Sequence, residues 1–199
     1  MSQGEFYKDQ YDKSLDCKNE INTSLSTPIG ILTVLIASLY FASTNFDFNE
    51  NYIISIAFVI VGSISLYLLA ASIFHLIRAL SDFHNGYDYA YLNDTDVLDI
   101  YYHGLVTFYL SQPGASATTS ILPAEKEFEE YILQELIKST GINQKNNKSK
   151  IFQRFKCHKF MIYSLISLSL LIIPFGIDFW VKKNVEKVYR VRMESIIPS

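Results

Sequence analysis

With 199 residues, 49% of them hydrophobic, and a net charge of −3, the chain is long enough for one ordinary domain. About a third of it lies in uncharged apolar runs, which leaves two short polar pieces and excludes a sizeable enzyme domain. The acids concentrate before residue 136 and the bases from Lys138 onward, so the small net charge conceals an acidic middle and a basic tail.

In chain order, residues 1–27 read as a cytosolic amphipathic helix, with Tyr7, Tyr11 and Leu15 four apart and acids and lysines on the other faces. Its charge is unlike the short basic region of a cleaved signal peptide, so the membrane helix that follows is expected to be an uncleaved anchor. Residues 28–78 then read as a transmembrane hairpin. Residues 21–46 and 51–77 carry no Asp, Glu, Lys or Arg. Each run exceeds the roughly 20 apolar residues that cross about 30 Å of hydrocarbon. Pro28 fits the first turn of the first span, with Thr27 or Ser26 as its cap. The connector at 45–51 holds Asp47 and Glu50 but no base, whereas Lys8, Lys13 and Lys18 precede the hairpin and Arg78 follows it. The positive-inside rule therefore puts the N-terminus and residue 78 in the cytoplasm.

Residues 79–158 form the expected cytosolic helical segment. Within it Tyr87, Tyr89 and Tyr91 alternate as a short strand would, and 93–96 supply a helix start. Leu98, Tyr101, Tyr102, Leu105, Val106 and Tyr109 follow at helical spacing up to Pro113-Gly114. A Ser/Ala/Thr-rich stretch at 111–120 reads as a loop. A second helix is expected from Pro123 to Gly141, with a polar, basic connector at 145–150. Residues 159–182 form a third expected span, uncharged over 160–177 and followed by a basic tail at 183–199. Bases flank this run on both sides, and Pro174 and Gly176 offer a re-entrant alternative. Trp180 as an interfacial anchor favours the full span.

Candidate functional residues are few. On the second span the pairs Ser55/Gly62, Ser63/Ala70 and Ser65/Ser72 repeat at seven residues. Small residues at that spacing let helices approach, either chain against chain, to line a polar path, or within one chain. His75 is the one readily ionisable group in the two hairpin runs, one turn from the end where it can also reach water. Lys145, Lys148, Lys150, Arg154, Lys156 and Lys159 make a basic cluster suited to anionic lipid headgroups, with the lipid bilayer as default partner over nucleic acid. Asp99 and His103 stand four apart, but helix capping accounts for the acids there. Cys17 and Cys157 show neither metal-ligand spacing nor a disulfide framework, which suits a reducing cytosol. No phosphate loop, dinucleotide glycine pattern, nucleophile elbow or zinc-protease motif is present, so no catalytic set, metal or cofactor is expected.

The charged N-terminal helix, the membrane hairpin and the short helical part over residues 5–140, with the Gly141, Asn143, Asn146, Asn147 and Lys148 stretch before a further apolar run, resemble the small multi-pass membrane effectors of bacterial anti-phage (abortive infection) systems. Retron-associated transmembrane effectors and two-transmembrane, SLATT-like effector domains are of this kind. The third apolar run departs from the plain two-helix pattern. The resemblance implies an all-α protein of the bacterial inner membrane, held silent by a regulatory partner protein or nucleoprotein such as a reverse transcriptase with its RNA/DNA. On release it self-associates and perturbs the membrane, causing death or growth arrest. A non-catalytic auxiliary subunit of a transporter or membrane enzyme, or a nucleotide-gated channel, would share the same outline.

Overall fold

The computed structural model describes the backbone of residues 2–49, 51–80, 88–114 and 116–194, and the side chains of the same residues except 117–119 and 184–194. Among these residues five helices follow in order: α1 (Gln3–Ser24), α2 (Ser26–Asn45), α3 (Tyr52–Leu80), α4 (Thr95–Leu110) and α5 (Ala117–Glu194). No strand occurs among the described residues. The chain divides into two compact units, Met1–Thr23 with Ser81–Ile151 and Ser24–Leu80 with Phe152–Ser199.

In the first unit α1 opens with a reciprocal cap. Ser2 Oγ accepts from Glu5 N–H at 3.2 Å while the Glu5 carboxylate accepts from Ser2 N–H at 2.7 Å, which satisfies two of the donors that a helix start leaves open. The helix buries Tyr11, Ser14 and Ile21. Residues 88–94 are irregular, so the alternation at Tyr89 and Tyr91 marks a non-helical strap with no ladder partner, not a strand; Tyr87 lies outside the described residues. At the start of α4 Asp94 makes no side-chain cap bond. The helix ends in a turn whose Gly114 has φ +78°, a conformation that favours glycine. Tyr101 and Tyr102 of α4 pack on Phe128 and Tyr131 of α5, with ring centroids 4.7–6.4 Å apart.

Helix α5 corrects three expectations at once. It begins inside the expected loop, it does not stop at Gly141, and the expected connector at 145–150 is helical. A mid-helix glycine costs only about 1 kcal/mol relative to alanine. Here the inward positions Leu136, Ser139, Asn143, Asn146 and Lys150 continue at spacings of three and four straight through it. The helix also passes Pro174 and Gly176 without interruption, so the re-entrant break is not present.

The second unit is a three-helix bundle of α2, α3 and the later part of α5. Each helix buries one line at spacings of three and four: Leu25, Pro28, Leu32 and Leu35 on α2; Ser65, Leu69, Ser72, Leu76 and Ala79 on α3; Cys157, Met161, Ser164, Leu168 and Leu171 on α5. This mean period of 3.5 is the spacing of knobs-into-holes packing. The cap of α2 is Leu25, which stays near helical geometry and makes no side-chain cap bond, in place of the expected Ser26 or Thr27. Asn51 caps α3, its side-chain oxygen accepting from Ile53 and Ile54 N–H at 3.1 and 3.3 Å.

Contacts fix the directions. Along α3 and α5, Ser65 meets Ser167, Ser72 meets Cys157 and His75 meets Gln153, so the two run antiparallel. Ser24 meets Arg154, Phe41 meets Phe175 and the Asn45 carbonyl accepts from Lys182, so α2 and α5 run parallel. Residues 178–182 therefore lie at the connector end of the hairpin, and 152–157 at the other. At 29 residues α3 is about 43 Å long, more than a bilayer core requires.

Candidate functional site

Two polar constellations are buried, one in each unit. In the first unit α5 presents Asn143, Asn146, Asn147 and Lys150 on one face, all less than 5% exposed. Asn143 pairs its amide with the Ala90 backbone at both atoms: its oxygen accepts from Ala90 N–H at 2.8 Å and its NH2 donates to Ala90 C=O at 3.0 Å. Asn146 donates to the Asp88 carbonyl at 2.8 Å. Asn147 accepts from the Tyr89 hydroxyl at 2.5 Å and donates to the Ser14 carbonyl of α1 at 2.7 Å. Tyr11 Oη accepts from Leu92 N–H at 3.3 Å, and Lys18 Nζ donates to Tyr91 Oη at 3.0 Å. The Tyr89 ring lies 4.4 Å from Lys18 Nζ and 5.3 Å from Lys150 Nζ, within cation–π reach of both. One turn along α5 from Asn143, Thr140 Oγ1 is buried with no hydrogen-bond partner among the described residues.

In the second unit the polar groups line the seam between α3 and α5. Ser65 Oγ lies 2.9 Å from the Val61 carbonyl and 2.7 Å from Ser167 Oγ. Ser72 Oγ donates to the Cys157 carbonyl at 2.9 Å and sits 3.4 Å from its Sγ. His75 Nδ1 pairs with Gln153 Oε1 at 2.8 Å, and its ring stacks on Phe160 with centroids 5.4 Å apart. Ser164 Oγ is fully buried with no partner among the described residues. At the connector end the buried Asp178 carboxylate accepts from Lys182 at 3.1 Å and from Asp47 N–H at 3.4 Å. This is how a carboxylate near the end of an apolar run avoids isolation. Between α2 and α5 an apolar groove of about 600 Å³ opens, lined by Val34, Ser38 and Phe41 on one side and Leu165, Ile172 and Phe175 on the other.

The sequence-predicted residues divide accordingly. Ser65 and Ser72 are engaged by α5 of the same chain, and Ser55 donates to the Phe48 carbonyl of the connector at 3.0 Å. All three are buried, and a Cβ added to Gly62 would meet Leu171 of α5 at 4.0 Å. The repeat thus packs within one chain here, while its companions Ser63 and Ala70 are exposed. His75 is half-buried and engaged by Gln153 and Phe160 of α5. Of the six basic candidates, Lys145, Lys148 and Lys159 are exposed and Lys156 is half-buried over the Phe152 ring, its Nζ 4.4 Å from the centroid. Lys150 is buried and Arg154 donates to Ser24 Oγ at 2.6 Å, so these two do not belong to an outward basic face. Asp99 and His103 form an exposed 3.5 Å pair, and no group of three metal-ligating side chains occurs among the described residues. The asparagine face was visible in the sequence only as a polar stretch; its spacing of three and four was the available signal.

No protein-family model, no curated protein and no solved structure matches the chain. What the fold defines is its class: an all-α protein with, among the described residues, three helices long and apolar enough to cross a membrane.

Proposed function

We propose that the chain is a non-catalytic membrane effector of a bacterial antiviral defence system, lying in the inner membrane with its N-terminus in the cytoplasm, and that the bundle described above is its silent state. A regulatory partner holds that state; on release the bundle opens, chains associate, and the membrane is perturbed. The observation that carries this reading is the polar line inside an otherwise apolar bundle. Across the α3–α5 seam Ser65 bonds to Ser167, His75 to Gln153 and Ser72 to the Cys157 carbonyl, and Ser164 adds a hydroxyl with no described partner. Separating the two helices would free these groups to face water, which a lone apolar hairpin cannot offer. The parallel run of α2 and α5 supports a C-terminus on the side opposite the N-terminus.

The test locks the seam. With Cys17 and Cys157 replaced by serine, Ser65→Cys and Ser167→Cys place two thiols where hydroxyls now sit 2.7 Å apart. In proteoliposomes carrying a potassium diffusion potential, followed with a voltage-sensitive dye, the reduced protein should depolarise and the oxidised protein should not, with reductant restoring the effect. Equal depolarisation by both forms would remove seam opening from the mechanism. Absence of depolarisation by wild type, with its partner removed, would favour the auxiliary-subunit reading.

A further inference from the structure

The strap at 88–92 is held in an unusual way. Apart from Tyr89 and the Lys18 contact with Tyr91, the polar contacts that seat it address atoms every peptide possesses: the Asp88 carbonyl, the Ala90 N–H and C=O, and the Leu92 N–H. The one deeply placed side chain is Tyr89, 8% exposed, with its hydroxyl on Asn147 and its ring near two ammonium groups. Asp88 and Tyr91 face outward. The walls of the slot also touch each other directly, Asn147 and Asn143 bonding to Ser14 of α1 at 2.7 and 3.4 Å.

From this we infer that α1 and α5 form a backbone-reading peptide site which the chain fills in cis with its own strap. Its ligand class is a non-helical peptide segment carrying an aromatic side chain at the place of Tyr89. Side-chain amides that pair with main-chain N–H and C=O read the peptide backbone rather than its sequence, as a sheet edge does when it accepts a strand. Specificity then rests on the aromatic anchor, where two cations and an amide meet one ring and one hydroxyl. A partner segment of that kind competes with the strap, and the cis contact sets the threshold it must exceed.

The experiment uses the full chain in detergent micelles and two readouts, neither of which depends on depolarisation. A labelled peptide with the sequence of residues 88–93 is titrated against wild type and Tyr89→Ala, alongside a control peptide with alanine at the anchor. Emptying the anchor should tighten binding of the tyrosine peptide by about tenfold or more over wild type, while the control binds neither protein. Hydrogen exchange should show the Ala90 and Leu92 amides of wild type opening about tenfold faster than helix amides at 143–150, because the strap opens locally. Asn143→Ala and Tyr89→Phe should accelerate the strap further and leave α1 and α5 protected. Should Tyr89→Ala unfold the unit, these two milder variants decide. Loss of α1 and α5 protection together with the strap in both would overturn the inference, as would equal peptide binding by wild type and a folded Tyr89→Ala protein.

Discussion

The two units bury polar groups for different ends. In the first, long amides on α5 reach across to the main chain of an irregular segment; in the second, short hydroxyls bond to a nearby helix carbonyl or to one another across a close contact. An irregular segment has unpaired N–H and C=O groups that need partners, and a side-chain amide supplies both kinds at once. Helices in an apolar bundle have satisfied their own backbones, so a serine there contributes closeness first and a hydrogen bond second. Helix α5 contributes to both units, burying asparagine and lysine in the first and serine, leucine and methionine in the second.

The substitution expected to break this comparison most strongly is Asn143→Leu. It removes both partners of Ala90 and the bond to Ser14, and leaves a buried N–H and C=O facing an apolar side chain, a cost of about 3 kcal/mol for the lost bonds and their desolvation. Thermal unfolding of the full chain in detergent should show the loss, with exchange protection falling at residues 88–92 first. A change no larger than that of an exposed substitution such as Lys145→Ala would mean that the amide pairing contributes closeness only, as in the second unit.

These particular residues also show what was legible beforehand. The hairpin and the third apolar run stood out because length without charge is a direct physical requirement of a membrane span, and α3 lies where the second run predicted. The small-residue repeat was legible as a contact face, but its partner was not. Ser65 carries the same signal whether it meets Ser167 of its own chain or another copy, and only the register of α5 against α3 separates the two. The asparagine face misread as a connector for a related reason. Asn, Lys and Ser on a helix normally face water, and the partner that makes burial favourable, the backbone at 88–92, is some fifty residues away and has no side-chain pattern to announce it.

A smaller effect separates two serines of the seam. Ser65→Ala loses one cross-helix bond to Ser167, which in apolar bundles is worth about 0.6 kcal/mol. Ser164→Ala removes a hydroxyl that is buried without a described partner, so the same chemical change should be neutral or slightly stabilising. Measured side by side in one detergent, the two variants should move the unfolding midpoint in unequal directions. If Ser164→Ala destabilises as much as Ser65→Ala, then Ser164 bonds to something outside the described residues, and the polar line is more fully satisfied than its geometry suggests.

The smallest expected effect lies on the exposed rim of the first unit, where polar contacts cost little to break. Tyr109 donates its phenol to Glu127 at 2.7 Å across the α4–α5 contact. Its pKa is raised from the ordinary value of 10.0, chiefly because the hydrogen bond to Glu127 favours the protonated phenol, with partial burial and the nearby carboxylate charge adding to it. A raised value means that the folded state holds the proton more tightly than the unfolded one. The contribution is therefore complete below pH 10 and fades as the pH climbs through the higher folded value. Subtracting the alkaline ultraviolet titration of Tyr109→Phe from that of wild type isolates this phenol among the fourteen tyrosines. Its midpoint should lie above 10, and Glu127→Ala should bring it down, with little change in the unfolding midpoint at neutral pH because the pair is solvent-exposed. A midpoint that ignores Glu127→Ala would show that the bond is not kept in solution, and α4 would then rest on α5 through the Tyr101, Tyr102, Phe128 and Tyr131 rings and the Ser120 bond to the Tyr109 carbonyl.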